Sequence, residues 1–401
     1  MVNGNPIPPE PSQESRPPRR KRYPGKHPKR FDQRYKELHP EAFPGIHAHV
    51  RAQGRTPAGA HVPVLMAEVT AALAPASGET VVDCTLGCGG HAVEFLRRIG
   101  PAGRLIAFDV DAAEMERTRR RLAEAFPAGI VLPIDSPRGP GSRGGSGGPR
   151  RKGAAGPDGG PRVILRRGNF AGIDRALGAL GINGVDVIFA DLGASSMQVD
   201  DPSRGFSYKQ DGPLDMRMDA RLTLTAADLV NRLSEEGLAA ALVELADEAD
   251  HAAIAAAIVR ERRRQPMTRT RDLVRVVLEA KGLDPRRWRK EAAGDKLHPA
   301  ALTFQALRML VNDEPGALRQ LLRAAPACLR PGGRIGFISF HSGEDRIVKQ
   351  AFREGLRQGV YEAASDEVIR PSREEVRANP RAAPAKFRWA HYSLWDLGRC
   401  G

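Results

Sequence analysis

The chain contains few of the residues that characterise secreted, metal-binding or membrane-spanning proteins. Its 401 residues include only four cysteines, Cys84, Cys88, Cys328 and Cys400, which form no C-x-x-C pair and no Cys/His spacing typical of a metal site. No apolar run approaches the roughly 20 residues that cross a bilayer. The polar, Pro-rich N-terminus also differs from a signal peptide. We therefore expect a cytoplasmic protein with reduced thiols, without a metal and without membrane association.

Negative charge is scarce relative to positive charge. The sequence has 62 Lys and Arg against 48 Asp and Glu, a formal net charge of +14. Such an excess favours an acidic polymer as the partner. About half of it lies in the first 60 residues, where 12 Lys and Arg face 5 Asp and Glu. This part of the charge also fits a solvated, solubilising arm that binds nothing.

Two segments lack the apolar periodicity that a folded core requires. Residues 1–58 are rich in Pro, Arg and Lys, and residues 133–161 consist mainly of Gly, Pro, Ser and Arg. Burial of so few apolar groups cannot offset the entropy lost on ordering. We predict a disordered basic tail at 1–58 and a flexible surface insertion at 133–161.

The remaining chain alternates between strand and helix patterns, with one interruption. Between about residues 205 and 295 the sequence shows helical patterns alone, with N-cap signals at Thr225 and Ser234. The predicted organisation is therefore an α/β domain formed by residues 59–204 and 296–401, with an all-helical insertion at 205–295.

The most informative stretch is TVVDCTLGCGGH, residues 80–91, an apolar run that ends in an acid and continues into a glycine turn. Gly89 and Gly90 allow a tight turn from a strand into a helix, which we expect at His91 to Arg98. A second strand is predicted at Arg104 to Asp109. This unit places the N-terminus of a helix beside a ligand site.

Asp109 indicates what that ligand contains. It lies 19 residues after Gly90, about where dinucleotide-binding folds hold ribose hydroxyls with a carboxylate. The turn lacks the last glycine of G-x-G-x-x-G and has no G-K-[ST] ending, which argues against NAD and against a nucleoside triphosphate. We predict S-adenosylmethionine as the cofactor, with an ordinary glycine loop as the alternative.

A second polar stretch, DLGASSMQ, follows the strand predicted at Val185 to Asp191. In a doubly wound sheet this strand lies beside the first one, where such folds place their chemistry. A polar turn without a function is the alternative. The continuation DDPSRGFSYKQDGPLDMRMD favours a functional role, because it is too polar and too often broken by glycine to serve structure alone.

Several sequence blocks together resemble one family, the MraW (RsmH) family of bacterial 16S ribosomal RNA cytosine-N4 methyltransferases. The resemblance extends in order from about His61 to Arg388 and does not cover the tail or the 133–161 insertion. The matching blocks are HVPVL, the D-x-T-x-G-x-G-G-H turn, FADLGASS, RGFSYKQDGPLDMRMD, RERRRQPMTRT, HPAALTFQALR, LRPGGRIGFISFHSGEDRIVK and NPRAAPAKFR.

The resemblance implies a Rossmann-like class I methyltransferase that methylates the N4 amine of a cytosine in the small-subunit decoding region. It implies cofactor contacts by Gly89, Gly90, His91, Asp109 at the ribose, Phe170 near the adenine, and Asp191 and Gln198 around the methionine end. We expect Asp191 to accept a hydrogen bond from the cytosine amine, with Ser195 and Ser196 as alternatives.

Other residues in these blocks suit contacts to RNA. Phe206 and Tyr208 are candidates to stack on an extruded base, although core packing explains Phe206 equally well. His341 fits either an RNA contact or a structural hydrogen bond. The basic residues expected to bind phosphate are Arg204, Lys209, Arg217, Arg269, Arg271, Arg346 and Lys349, for each of which a plain surface charge is the alternative.

Two other functions remain open at this level. A DNA or small-molecule amine methyltransferase would use the same cofactor, but the N/D/S-P-P-Y/F loop of many amine methyltransferases is replaced by DLGASS. A non-catalytic RNA-binding or ribosome-assembly factor would retain only a vestigial nucleoside pocket. The expected partner is 16S ribosomal RNA in the small subunit, and the sequence leaves the oligomeric state open, a homodimer included.

Overall fold

The computed structural model of the protein describes residues 63–132, 162–288 and 297–394. The predicted tail at 1–58 and the predicted insertion at 133–161 lie outside the described residues, as does Cys400. None of the helices in the three described ranges is long and apolar enough to cross a membrane.

One eight-stranded sheet organises the fold. Its strands are β1 (Thr80–Asp83), β2 (Arg104–Asp109), β3 (Ile130–Leu132), β4 (Arg162–Arg167), β5 (Val185–Asp191), β6 (Leu329–Ser339), β7 (Tyr361–Ala364) and β8 (Lys386–Tyr392). The strand order is β3-β4-β2-β1-β5-β6-β8-β7. Only the β6–β8 and β7–β8 pairs are antiparallel. The chain moves outward in opposite directions from β1, which makes the edge beside β1 and β5 a topological switch point.

The helices connect and cover these strands. They are α1 (Met66–Leu73), α2 (Gly90–Ile99), α3 (Ala112–Ala125), α4 (Ile173–Ala179), α5 (Ser196–Asp200), α6 (Ala226–Arg232), α7 (Glu235–Ala246), α8 (His251–Arg262), α9 (Thr270–Ala280), α10 (Ala301–Asn312), α11 (Glu314–Cys328), α12 (Ser342–Arg357) and α13 (Arg373–Ala378). The predicted Rossmann-like α/β class with an inserted group of helices is confirmed.

Apolar side chains gather in three clusters. One lies on each face of the sheet, with Phe189 in the first and Ile188 in the second, because successive residues of β5 point to opposite faces. The third cluster joins helices α6 to α9 and includes Phe304 and Leu307 of α10. The helical core therefore extends beyond residue 295, where the sequence pattern predicted its end.

The local differences from the sequence prediction occur at short elements and at one cap. Strands β3 and β7 were not predicted. The spacing of Ser342 and Asp345 predicts Ser342 as the N-cap of α12, but His341 is the N-cap and its Nδ1 accepts from the backbone N–H of Glu344 (3.4 Å). The sequence KFRWAHYSLWDL predicts a closing strand from Lys386 to Leu397. The strand ends at Tyr392, and residues 395–397 lie outside the described residues.

Candidate cofactor and substrate cleft

A cleft of about 520 Å³ opens at the carboxyl ends of β1, β2 and β5. The glycine turn, the end of β2, the DLGASS loop and the start of α11 all contribute to its wall. The cleft therefore lies at the switch point of the sheet, where doubly wound folds bind their ligands.

The glycine turn lies so close to its neighbours that side chains would not fit. Gly89 has a φ of +73°, and a Cβ there would lie 2.5 Å from Cγ2 of Thr118. A Cβ on Gly90 would lie 2.2 Å from Cγ of Pro63. Helix α2 begins at Gly90, so its first backbone N–H groups lie at the wall of the cleft. This arrangement suits an electron-rich ligand group.

The side chain of His91, the residue after Gly90, packs between the glycine turn and the sheet. Its side chain is buried, its Nε2 lies 3.0 Å from the carbonyl oxygen of Val64, and its ring packs 4.6 Å from the ring of Phe189. These contacts fix the ring between the turn and the sheet. His91 lines the cleft, and its contact with a cofactor, which the family resemblance implies, stays a prediction.

Asp109 is oriented by two backbone donors. Its Oδ2 accepts from the N–H of Gly87 (2.8 Å) and its Oδ1 from the N–H of Asp111 (2.9 Å). Burial raises the pKa of Asp109 to about 6, and the amides oppose that rise. Each oxygen keeps a further lone pair, so the carboxylate can still accept from a diol. Phe170 lies in the same cleft, in a short 3₁₀ turn capped by Asn169.

Asp191 ends β5 and lines the cleft. Its backbone N–H donates to Oγ1 of Thr85 (2.6 Å). Its Oδ2 lies 3.9 Å from Nδ1 of His91. Its Oδ1 is buried and has no hydrogen-bond partner among the described residues. A buried, unpartnered carboxylate oxygen is costly unless a ligand satisfies it.

A third acid, Asp83, was not assigned a role from the sequence. It ends β1, is fully buried, and accepts from the N–H of Thr85 (3.0 Å). Burial raises its pKa to about 7. Burial, with the nearby charges of Asp83 and Glu344, also raises the pKa of Asp191 to about 8. The signal for this group was present in the sequence, because VVD, AFD and FAD each end an apolar strand in an acid. Three adjacent acids favour a cationic ligand.

The two serines of the DLGASS loop differ in their contacts. Ser195 is the N-cap of α5, and its Oγ accepts from the N–H of Gln198 (3.2 Å) while Oε1 of Gln198 accepts from the N–H of Ser195 (3.0 Å). Nε2 of Gln198 donates to Oδ2 of Asp111 (3.0 Å). Ser196 lines the cleft at the first position of α5. Ser195 and Gln198 thus hold the loop in place beside the cleft.

Arg204 and Arg217, both predicted to contact RNA, make contacts within the protein. Nη1 of Arg204 donates to Oδ2 of Asp111 (2.7 Å), and its Nη2 donates to the carbonyls of Arg217 (2.9 Å) and Met218 (3.1 Å). The guanidinium of Arg217 pairs with both carboxylate oxygens of Asp215. Arg204 therefore ties the cap of α3 to a segment of the insertion whose Met218 lines the cleft.

The predicted aromatic contacts also have partners in the fold. Phe206 is buried in the helical cluster, as the core-packing alternative expected. The ring of Tyr208 is half-buried and stacks on His298 with ring centroids 4.5 Å apart. His341 is the cap of α12, and its Nε2 lies 3.1 Å from Oε1 of Glu344.

The other basic residues lie nearer the surface. Arg269 pairs with Asp211 at 2.8 Å, and Arg271 lies 3.6 Å from the same carboxylate. Arg346 is exposed and lies 3.6 Å from Asp247. Lys209 is exposed and Lys349 is half-buried. Their contacts to RNA stay a prediction.

A buried ionic cluster beside the DLGASS loop was not predicted. Nε and Nη2 of Arg308 donate to the two carboxylate oxygens of Glu314 at 2.8 and 3.0 Å. Oε2 of Glu344 accepts from the N–H of Phe340 (3.1 Å). Burial opposes ionisation of Glu344, but the hydrogen bond from His341 and the charge of Arg308 hold its pKa below the usual value. The only signal was that Arg308 lies in the HPAALTFQALR block and Glu344 in FHSGED, whereas Glu314 lies in no matching block.

Within the described ranges, no group of three or more His, Cys, Asp or Glu side chains is arranged to hold a metal ion. The side chains that line the cleft include carboxylates, carboxamides, hydroxyls and the guanidinium groups of Arg308 and Arg381.

Comparison with known proteins gives a consistent result. A family model described as the MraW methylase family matches residues 58–131 and 158–393. A ribosomal RNA small subunit methyltransferase H 2 of Alkaliphilus metalliredigens is 38% identical over 93% of this chain and 97% of its own length. A methyltransferase H 1 of Agathobacter rectalis is 38% identical over 94% and 99%. A methyltransferase H of Acidobacterium capsulatum is 40% identical over 82% and 97%.

Proposed function

Because this chain belongs to the MraW methylase family, we propose that it is a small-subunit ribosomal RNA methyltransferase acting on the N4 amine of a cytosine in the 16S decoding region. We choose an amine as the methylated group because Oδ1 of Asp191, beside the glycine turn, is buried and has no hydrogen-bond partner among the described residues. That oxygen is a hydrogen-bond acceptor in a cleft with room for a nucleoside.

The residues of the cleft fit S-adenosylmethionine. Gly89 and Gly90 form a bare backbone cradle that a Cβ would fill, and Asp109 presents a carboxylate suited to the ribose hydroxyls. Phe170 offers an apolar ring for the adenine, and the three strand-end acids suit a ligand with two positive charges. When bound, this cofactor supplies an electrophilic methyl group on a positively charged sulfur.

Asp191 is our candidate for the group that activates the amine. The lone pair of a cytosine N4 is delocalised into the ring, so a carboxylate that accepts an N4 hydrogen makes the nitrogen more nucleophilic. Asp191 would take up one N4 proton as the amine receives the methyl group that the bound cofactor would supply. Ser195 is the weaker alternative because its Oγ already accepts from Gln198. Ser196 remains a second alternative.

The acceptor is proposed to be 16S ribosomal RNA within the small subunit, in the cytoplasm. A cytosine in structured RNA must leave its stack to reach a cleft of this depth. Exposed Lys209, Arg271 and Arg346 supply positive charge outside the cleft that suits the backbone of such a substrate.

The proposal is tested by transfer of a labelled methyl group from S-adenosylmethionine to purified small subunits, followed by nucleoside analysis. We expect the label on N4 of one cytosine. Label on DNA alone, on small amines, or on another base would overturn the assignment. Binding of the cofactor without any transfer would instead favour a non-catalytic ribosome-assembly factor.

A further inference from the structure

Two polar side chains around the amine end of the cleft are engaged in contacts within the protein. Both carboxylate oxygens of Glu314 accept from Arg308. The side chain of Asn312 accepts from the N–H of Met218 and donates to the carbonyls of Met216 and Arg308. These contacts fix the orientation of both side chains within the fold.

Asp191 and Arg308 both keep free hydrogen-bonding capacity in this part of the cleft. One free group is Oδ1 of Asp191, an acceptor. The other is Nη1 of Arg308, a donor with two hydrogens, for which no described residue serves as acceptor, since the hydrogen bonds of Arg308 to the described residues involve only Nε and Nη2. A free acceptor and a free donor thus line one cavity.

The backbone between them brings the two groups to the same wall. Gly193 lies two residues after Asp191 and has a φ of +98°. A Cβ at Gly193 would lie 4.0 Å from Nη2 of Arg308, so the guanidinium reaches over the loop that Asp191 begins. Because Nε and Nη2 both donate to Glu314, the plane of the Arg308 guanidinium is fixed.

We propose that Arg308, held by Glu314, is a specificity-determining residue that recognises the ring edge of the target cytosine while Asp191 takes its amine. This inference rests on the proposed function. Cytosine presents an N–H donor at N4 beside acceptors at N3 and O2. Asp191 accepts from N4, and Nη1 of Arg308 donates to N3. Glu314 is the positioning residue for Arg308.

The pair also rejects uracil. Uracil has an acceptor at position 4 and a donor at N3, so it would set a carbonyl against the carboxylate and an N–H against the guanidinium. Leaving buried polar groups unpaired costs more than a good hydrogen bond gains. Specificity for cytosine therefore comes from the site itself and not only from the surrounding RNA sequence.

The test compares binding of small subunits that carry cytidine or uridine at the methylated position. We expect wild-type protein to bind the cytidine form more tightly, and Arg308→Gln to reduce this preference and kcat/KM about 10- to 100-fold with an unchanged affinity for S-adenosylmethionine. Arg308→Lys keeps the positive charge but loses the planar guanidinium with its paired N–H donors. This variant should therefore retain the fold and still lose most of the preference for cytidine.

Arg334 provides a matched control. Nη1 and Nη2 of Arg334 donate to the two carboxylate oxygens of Glu79, and the side chains of this pair are about as buried as those of Arg308 and Glu314. Arg334 lies on strand β6, outside the cleft. Arg334→Gln should leave the cytidine preference intact. The inference fails if Arg308→Lys keeps the wild-type preference and kcat/KM, or if Arg334→Gln reduces both equally. If wild-type protein methylates no cytosine at all, the proposed function fails instead.

Discussion

The carboxylate of Asp191 lies 3.9 Å from Nδ1 of His91, while Nε2 of the same ring lies 3.0 Å from the carbonyl oxygen of Val64. Because a carbonyl can only accept, Nε2 donates to Val64, and Nδ1 is the ring nitrogen near Asp191. Burial and neighbouring acids then raise the pKa of Asp191 to about 8.

Replacing Asp191 tests its role in catalysis. Asp191→Asn removes the group that takes the amine proton, so we expect kcat to fall by about 100-fold or more. The amide keeps the shape of the side chain, so the protein should fold. Single-turnover methyl transfer with calorimetry on S-adenosylmethionine checks this. Normal cofactor binding with an undiminished rate would contradict the assignment.

The raised pKa values predict a pH-dependent preference for the charged cofactor. Asp83, Asp109 and Asp191 have pKa values of about 7, 6 and 8, so they ionise as pH rises from 6 to 8. A cationic sulfur gains from each ionised carboxylate. The affinity for S-adenosylmethionine relative to S-adenosylhomocysteine, which lacks that charge, should therefore increase with pH. Calorimetry with both ligands at pH 6, 7 and 8 measures the ratio. A flat ratio would contradict an electrostatic contribution of these acids to cofactor binding.

The same shifts predict how the ligand-free protein responds to pH. A buried acid whose folded pKa is raised stabilises the fold below its unfolded pKa, and this stability is lost as pH rises toward the folded pKa. For Asp83 that window runs from about 4 to about 7. Asp83→Asn should therefore stabilise the ligand-free protein at pH 8, by up to about 4 kcal/mol, and have little stabilising effect at pH 4. Denaturant unfolding at both pH values checks the sign.

The glycine turn can be tested against a glycine elsewhere with the same backbone angle. Gly89 and Gly359 both have a φ of +73°, but only at Gly89 would a Cβ meet another side chain, Thr118. Each Ala substitution should cost roughly 1–2 kcal/mol of stability through backbone strain. Only Gly89→Ala should also weaken cofactor binding, by about 10-fold or more. Equal cofactor affinity in both variants would contradict a role for the cradle.

A comparison of Arg204 with Arg271 distinguishes an arginine that stabilises the fold from one that binds RNA. Arg204→Gln removes the charge partner of Asp111, so we expect a loss of about 1–3 kcal/mol in the free energy of unfolding. Arg271 is more exposed, and Arg271→Gln should leave stability unchanged and reduce the salt dependence of RNA binding by about one ion. If Arg204→Gln instead reproduces the behaviour expected of Arg271, its contact with Asp111 contributes little.

The fold was largely predictable because its signals are local. Apolar runs that end in an acid give β1, β2 and β5, and the glycine turn between β1 and α2 follows from backbone sterics. The same segments bring His91 and Asp109 to the cleft. Phe170, which the family resemblance implied and which follows β4, lines the same cleft, and the contacts of all three with a cofactor stay a prediction.

What the sequence could not reveal are contacts between distant segments. The pairing of Arg204 with Asp111 joins residues 93 positions apart, and nothing near Arg204 indicates an inward-facing side chain. Arg308 meets Glu314 because Asp313, in a left-handed conformation (φ +47°), turns the chain between α10 and α11. Such geometry depends on the packing of two helices and leaves no mark in composition or periodicity.

Helix α10 belongs to two parts of the protein at once. Phe304 and Leu307 pack in the helical cluster, and Arg308, the next residue, lies in the cleft. Any displacement of the helical unit by a docked ribosomal particle would therefore move that guanidinium along with it, within one turn of the same helix. Recognition of the target base by Arg308, as proposed above, would then depend on how the helical cluster docks on the ribosomal particle.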